Sequence, residues 1–552
     1  MKIGLFQMNP LVGAPQSNLK KILAAAEEAA RAGADLLVAP ELGICGYPPK
    51  DLLFRGDMIG QIQLALQHLA KQTPVPVLVG APLPADLPVG FPLTNSVVLC
   101  SSAGVETVAH KRLIPTYDIF DEWRYFRPGP QEGVGILEIK GLRLGITVCE
   151  DAWNDSSFWP HHRYNEDPVA ELAARGIDGM INIAASPFDE GKIRFRQSLF
   201  SQLAKTHQIP FWVCGQTGAH DHLIFDGGSL VIDAKGTVIG NAADFKEEII
   251  YSTYETEVLK AESKCETPSR FELLENALCL GIRDYVRKCG ASRVLVGLSG
   301  GIDSAVTAAL AVKALGSENV IGVRMPSGYS SEHSLKDADD LATNLKMVCH
   351  TVQIEPVVES LRGQLAPSFE GAPAASEDIT DQNLQARARG VVLMGFSNRL
   401  GAMVLTTGNK SEVAVGYATL YGDMCGALAP IADVWKTDVY ALANFMNRNE
   451  EVIPRSTITK PPSAELKPGQ TDQDSLLPYD LLDRILQMYV EEGLGFDLIA
   501  SEIDCLEEEL QQVLQMVDRS EYKRWQGACV LRVSKKSFGE GRRMPVAAGF
   551  KS

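Results

Sequence analysis

The stretch RVLVGLSGGIDSAV, residues 293–306, restricts the fold more than any other part of the chain. An apolar run, Val294 to Val296, breaks into glycine and serine and then resumes as the helix-like DSAVTAALAVKAL. A strand that turns through glycines into a helix is built to cradle phosphate. Backbone N–H groups with no Cβ in the way approach the anion, and the helix presents its positive end. Gly297, Gly300 and Gly301 allow that approach, and Ser299 and Ser304 add hydroxyls. Asp303 would repel phosphate directly and reads instead as a Mg²⁺ ligand. The Lys-Ser/Thr pair that closes a P-loop is missing, so the loop is not expected to serve γ-phosphoryl transfer.

More than half of the chain precedes this loop, and it is patterned differently. Up to about residue 255, short apolar runs such as KIGLFQMN, DLLVAPEL, LRLGITVCED and DGMINIAAS alternate with amphipathic stretches such as NLKKILAAAEEAARAGA. GGSLVIDAKGTVIGNA reads as a hairpin, and the whole as a mixed α/β sandwich. Residues 256–270 are poor in apolar groups and read as a linker. From 271 to 552, strand–helix alternation predicts a doubly wound parallel sheet with the glycine loop after its first strand. Residues 455–478 are rich in proline and polar groups and are expected to form a loop.

Composition narrows the partners. At 552 residues two or three domains are expected, and a formal charge of −17 argues against a nucleic-acid partner, which needs clustered basic surface. Eleven cysteines without CxxC pairs point to a reducing compartment, the cytoplasm, and no apolar run is long enough for a membrane span. The nine histidines show no HExxH or Cys/His ligand spacing, so no protein-held zinc is expected, and no flavin either.

The full string SGGIDS resembles the pyrophosphate-binding loop of the adenine-nucleotide α-hydrolase superfamily, the ATP pyrophosphatases. That resemblance implies ATP bound along Gly297, Leu298, Ser299, Gly300, Gly301, Ile302, Asp303 and Ser304 and cleaved between the α and β phosphates. Four further stretches narrow the branch: MPSGYSSEHSLKDADDLATNL, QNLQARARG, TTGNKSEVAVGYATLYGDMCGALAPIADVWKTDVY and EYKRW. Together they are similar to NAD synthetases. By that similarity Thr407 and Lys436 contact ATP, and Glu412 joins Asp303 on Mg²⁺. Asn383, Arg387, Glu412 and Lys523 face deamido-NAD⁺. Two positions depart from the pattern: Leu420 stands where ammonia-only members carry lysine, and Ala427 replaces a frequent second glycine.

An amide-forming ligase needs unprotonated ammonia, which a fused generator can supply. In the first half Glu41, Lys111 and Cys149 each stand at or just after the end of an apolar strand run. A thiol nucleophile, a carboxylate base and a cation for the tetrahedral oxyanion form a complete amide-hydrolysing set. Their flanking strings resemble the nitrilase, or carbon–nitrogen hydrolase, superfamily, which implies a four-layer αββα sandwich. Glu122 of FDEWRYF matches the family's additional glutamate that orients the lysine. Similarity to glutamine-dependent synthetases implies that Tyr117, Ser186 and Lys192 surround the substrate's amino-acid end.

The expected activity is therefore a ligase that amidates deamido-NAD⁺ with ammonia from L-glutamine and spends ATP, with Mg²⁺, to AMP and pyrophosphate. A shielded ammonia passage and a homo-oligomer, a dimer or larger, are expected with it. Three other readings stay open at this level: a related amidotransferase ligase with another carboxylate acceptor, an ammonia-only synthetase with an inactive first half, and a nucleotide sensor. The basic tail SKKSFGEGRRMPVAAGF reads either as a phosphate anchor or as a solvated segment.

Overall fold

A computed structural model describes all residues except 86–92, 131–134, 157, 256–257, 264, 267, 372–377, 468 and 550–552. The chain divides into two compact units, 1–268 and 269–552.

In the first unit, strands with apolar residues on both faces stack into two sheets. One has the order β15-β14-β1-β2-β3-β4-β5: β1 is Lys2–Gln7, β2 Leu36–Val38, β3 Val77–Pro84, β4 Leu93–Ser101, β5 Gly104–His110, β14 Glu248–Glu255 and β15 Val258–Ala261. The other has the order β13-β12-β9-β8-β7-β6: β6 is Ile136–Ile139, β7 Leu142–Val148, β8 Gly179–Ala184, β9 Phe211–Gly215, β12 Leu230–Ile232 and β13 Val238–Asn241. A small ribbon, β10 (Thr217–His220) with β11 (Leu223–Asp226), stands apart. Ile3, Leu5 and Val38 of one sheet pack with Ile146, Ile183 and Trp212 of the other in one buried cluster. The outer face of the first sheet is covered by α1 (Pro15–Arg31) and α2 (Gly56–Gln72), whose Ile22, Ala26, Ile62 and Leu69 are buried against it. The outer face of the second is covered by α3 (Pro168–Ala173) and α4 (Lys192–His207), through Val169, Leu199 and Leu203. The layers run helix, sheet, sheet, helix.

One expectation needs correcting. Residues 258–261, inside the stretch read as linker, form β15, which pairs antiparallel with β14 from Ser252↔Ala261 to Glu255↔Val258. An edge strand has few apolar positions to bury, so its composition resembles a linker's. Residues 256–257, 264 and 267 lie outside the described residues.

In the second unit every strand pair is parallel, in the order β18-β17-β16-β19-β20-β21. The strands are β16 Val294–Gly297, β17 Val320–Arg324, β18 Val348–Thr351, β19 Met403–Leu405, β20 Leu428–Ala429 and β21 Cys529–Val530. The chain winds outward from β16 to β18, then returns to the other side of β16 for β19. The glycine loop therefore leaves β16 at the topological switch point, where ligands bind in such sheets. Its helices include α5 (Arg270–Lys288), α6 (Ile302–Leu315), α7 (Glu332–Asn344), α8 (Glu355–Phe369), α9 (Thr380–Leu400), α10 (Lys410–Val415) and α11 (Lys436–Met446). Leu295 and Val404 of the sheet are buried with Val358 of α8 and Leu393 of α9. Among the described residues, no helix is long and apolar enough to cross a membrane.

Candidate active sites

In the first unit the triad assembles from three strand ends. Lys111, one residue beyond β5 and 1% exposed, donates from Nζ to Glu41 Oε1 at 2.8 Å and to Glu122 Oε1 at 2.8 Å. Glu41, fully buried three residues beyond β2, also accepts Asn95 Nδ2 at 2.7 Å and the Ala185 N–H at 3.0 Å. Gly80 lets β3 press on this turn, since a Cβ there would lie 2.2 Å from Leu42 N. Glu122 accepts a further bond from Tyr47 Oη at 2.9 Å.

Cys149 directly follows β7 with φ 44°, a left-handed conformation that costs a non-glycine residue energy. The residue is 6% exposed. Burial pushes its pKa well up, Glu41 adds to that, and Lys111 pulls the other way. For Lys111 burial alone would favour loss of the proton, but Glu122 and Glu41 override it and hold the ammonium well above its usual range. Burial, opposed by Lys111 and reinforced by Glu41, lifts Glu122 to about 7. The resting site thus holds a neutral thiol beside a charged lysine.

Tyr117 donates to both oxygens of buried Glu150, at 2.9 and 2.8 Å. Ser186 is buried one residue beyond Ala185, whose N–H anchors Glu41. Lys192 opens α4, 3.7 Å from Asp189 and 5.9 Å from the Trp153 ring centre.

The α4 wall is tied to β11 by a buried Arg196–Asp226 ion pair, with Asp244 close by. Burial and the like charge of Asp226 raise Asp244 from 3.8 to about 7 against the opposing pull of Arg196. The folded protein therefore binds this proton before the unfolded chain does. The group's contribution to stability is complete below about 3.8 and is lost as pH rises through about 7. Asp244→Asn should gain in urea midpoint relative to wild type between these two values and level off above them. An unchanged difference across that window would refute the assignment.

In the second unit a cavity of about 590 Å³ opens at the end of β16. It is lined by Gly297, Leu298, Ser299, Gly301, Ile302, Asp303 and Ser304 of the loop, and by Thr407, Glu412, Lys436, Asn383, Arg387 and Lys523. Of the residues expected there, Gly300 alone is not in the wall. It has φ 77°, and a Cβ on it would lie 2.2 Å from the Ser334 carbonyl oxygen, so only glycine fits. The loop is braced internally: Gly301 N–H donates to Ser299 Oγ at 3.1 Å and Ser304 Oγ donates to the Gly301 carbonyl at 2.9 Å.

Lys436 Nζ stands between two carboxylates, Asp303 Oδ2 and Glu412 Oε1, the latter at 3.2 Å. Burial raises Glu412 to about 8, with Lys436 opposing and Asp303 adding to the rise. Thr419 Oγ1 donates to Asn383 Oδ1 at 2.8 Å, and Arg387 Nε to the Leu420 carbonyl at 3.2 Å. Lys523 gives two donors to the Gly416 and Ala418 carbonyls, both at 2.7 Å, and keeps a third.

Family models match both units: carbon–nitrogen hydrolase over residues 2–261 and NAD synthase over 274–527. A glutamine-dependent NAD⁺ synthetase of Synechocystis is 45% identical over 99% of each chain, and one of Thermotoga maritima is 40% identical over 100% of this chain and 99% of its own. This chain belongs to that family. Among solved structures, a glutamine-dependent NAD⁺ synthetase of Acinetobacter baumannii in complex with ADP is 36% identical, with TM-score 0.77 and coverage of 99% and 98%. One from Cytophaga hutchinsonii, 22% identical with TM-score 0.82 and coverage of 100% and 98%, shares the fold.

Several side chains of this family member were not singled out from the sequence. Asp151 accepts the N–H groups of Arg112 and Leu113, both at 2.9 Å, and of Val148 at 3.0 Å, which ties the segment after Lys111 to the base of the Cys149 turn. Glu150 takes a second phenol, Tyr164, at 3.0 Å. The only sequence signal for either was the acidic pair after the cysteine. Among the described residues the basic tail is not in the wall of the cavity; Lys535 and residues 543–547 are exposed, while its start is anchored. Asp433 accepts Val533 N–H and Ser534 N–H, both at 2.8 Å, and buried Lys410 Nζ reaches Ser534 Oγ at 2.6 Å and the Lys536 carbonyl at 2.8 Å.

Proposed function

We infer that the chain couples two reactions, glutamine hydrolysis in the first unit and ATP-driven amidation of deamido-NAD⁺ in the second. The observation that carries this is a lysine locked between carboxylates in each unit, beside a strained thiol in one and a glycine loop in the other. Family membership gives the overall activity, glutamine-dependent NAD⁺ synthesis by a carbon–nitrogen ligase.

At the first site Glu41 takes the Cys149 proton as sulfur attacks the carbonyl carbon of the glutamine side chain. Lys111 has given two donors to Glu41 and Glu122 and keeps one for the oxyanion. Glu41 passes the proton to the departing ammonia, and water later cleaves the thioester. An α-amino acid carries an ammonium and a carboxylate. Glu150, oriented by Tyr117 and Tyr164, suits the first, and Lys192 with Ser186 suits the second.

At the second site the nicotinate carboxylate attacks the α-phosphorus of ATP and the bond to pyrophosphate breaks. Loop N–H groups, the α6 N-terminus and Lys436 receive the leaving group. Ammonia then attacks the acyl carbon and AMP departs. Asp303 and Glu412 meet at the Lys436 ammonium in the cavity wall, and two carboxylates are the protein share that nucleotide-bound Mg²⁺ uses. Mg²⁺ bound there would neutralise phosphate charge.

Nitrogen must cross between the reactions unprotonated, so a shielded passage is part of the proposal. NAD⁺ yield per glutamine should be the same with and without an external ammonia trap. A homo-oligomer belongs to the reading too: α9 exposes Val391, Met394 and Leu400. The deciding experiment follows phosphorus. With deamido-NAD⁺, Mg²⁺-ATP and glutamine, each NAD⁺ should come with one AMP and one pyrophosphate. Release of ADP and orthophosphate would end this reading.

A further inference from the structure

Asn409 is fully buried and stands at the N-cap of α10. Its Oδ1 accepts the Glu412 N–H at 3.0 Å, which is an ordinary capping bond. Its Nδ2 does something a cap does not need: it donates to Asp303 Oδ1 at 3.0 Å, across to the first turn of α6. One end of the amide faces an N–H and the other a carboxylate, so the orientation is dictated by chemistry. The Asn409 N–H also reaches Glu412 Oε2 at 3.4 Å, which completes a capping box. Lys436 holds the remaining oxygens, Asp303 Oδ2 and Glu412 Oε1.

We propose that Asn409 is a positioning residue for nucleotide-bound metal, spanning the helix that carries Glu412 and the carboxylate of Asp303 so that both face the same nucleotide cavity. The proposal rests on the assignment of those two carboxylates to Mg²⁺-ATP. Two carboxylates repel, and a neutral amide that donates to one and caps the helix of the other holds them together without competing for the cation. Outer contacts of this kind tune ligand orientation and metal affinity.

The two jobs of the side chain can be separated. Serine is as good a cap as asparagine, but its single short hydroxyl stays at the cap and does not span to Asp303 as the amide does, whereas alanine loses both functions. Full-length Asn409→Ser should keep the wild-type Tm and hydrolyse glutamine normally. Its calorimetric affinity for a nonhydrolysable ATP analogue with Mg²⁺ should fall by about 10- to 100-fold. Asn409→Ala should show the same loss of affinity and also a lower Tm. If serine fails as a cap and lowers Tm as far as alanine, Asn409→Thr replaces it in the same comparison.

A double-mutant cycle with Asp303→Ala tests the route. In that background Asn409→Ser should change affinity by less than about twofold. Wild-type affinity in Asn409→Ser, or an equal loss with and without Asp303, overturns the proposal. Unchanged affinity in Asp303→Ala alone overturns the metal assignment itself, and the proposal with it.

Discussion

Replacing Cys149 by alanine should lower NAD⁺ synthesis from glutamine by more than about 1,000-fold and leave synthesis from free ammonium salts within about twofold of wild type. The size follows from the chemistry: without sulfur there is no thioester, and Glu41 and Lys111 alone cannot open the amide. The selectivity follows from the architecture, because the cavity at residues 297–304 belongs to a unit with its own sheet and core. Alanine also suits the site, since the buried thiol is held neutral and its loss strands no charge. The check is a paired assay with both nitrogen donors plus a direct measure of glutamate release. Equal loss with both donors would mean that the two units are not chemically separable. Loss with neither would mean that the first unit does not supply the nitrogen.

Lys436→Met should produce the complementary result. Lys436 is 2% exposed, and its ammonium is the shared partner of Asp303 and Glu412. Removing one member of a buried ion cluster leaves the others uncompensated, at a cost of about 3–5 kcal/mol. Removing a cation aimed at developing phosphate charge lowers turnover by about 100- to 1,000-fold. Synthesis should therefore collapse with glutamine and with ammonia alike, while glutamine hydrolysis measured alone continues. Arginine should not rescue it, because a planar fork cannot occupy the position of a compact ammonium between two carboxylates. If hydrolysis in the first unit fell in parallel, Lys436 would be a general support of the fold.

The two predictions divide the chain where the sequence motifs do, and that reflects which features were legible. RVLVGLSGGIDSAV carried its local structure in full: β16 ends at Gly297, and α6 begins at Ile302. Glu41, Lys111 and Cys149 could be picked out because each follows an apolar run. The expected linker begins too early, at 256, because β15 buries little of its own surface and is held by backbone pairing to β14. The acidic pair after Cys149 was visible, but its purpose was not. Asp151 works by gathering N–H groups from residues 112, 113 and 148, and nothing in the local pattern announces that. The tail is of mixed character: Lys535 and residues 543–547 are exposed, as a solvated segment would be, while backbone and hydroxyl groups near Ser534 hold its start to Asp433 and Lys410, which its composition does not announce.

What this chain's sequence determined by itself was the set of reactive types and the turns that present them, since strand periodicity, glycine freedom and helix starts act over a few residues. What only the tertiary structure decided was which charges share a partner. Lys111 lies 70 residues from Glu41, and Lys436 lies 133 from Asp303. Whether such groups pair, and which protonation state each then holds, depends on burial and on distances of a few ångströms, which the packing of whole layers sets.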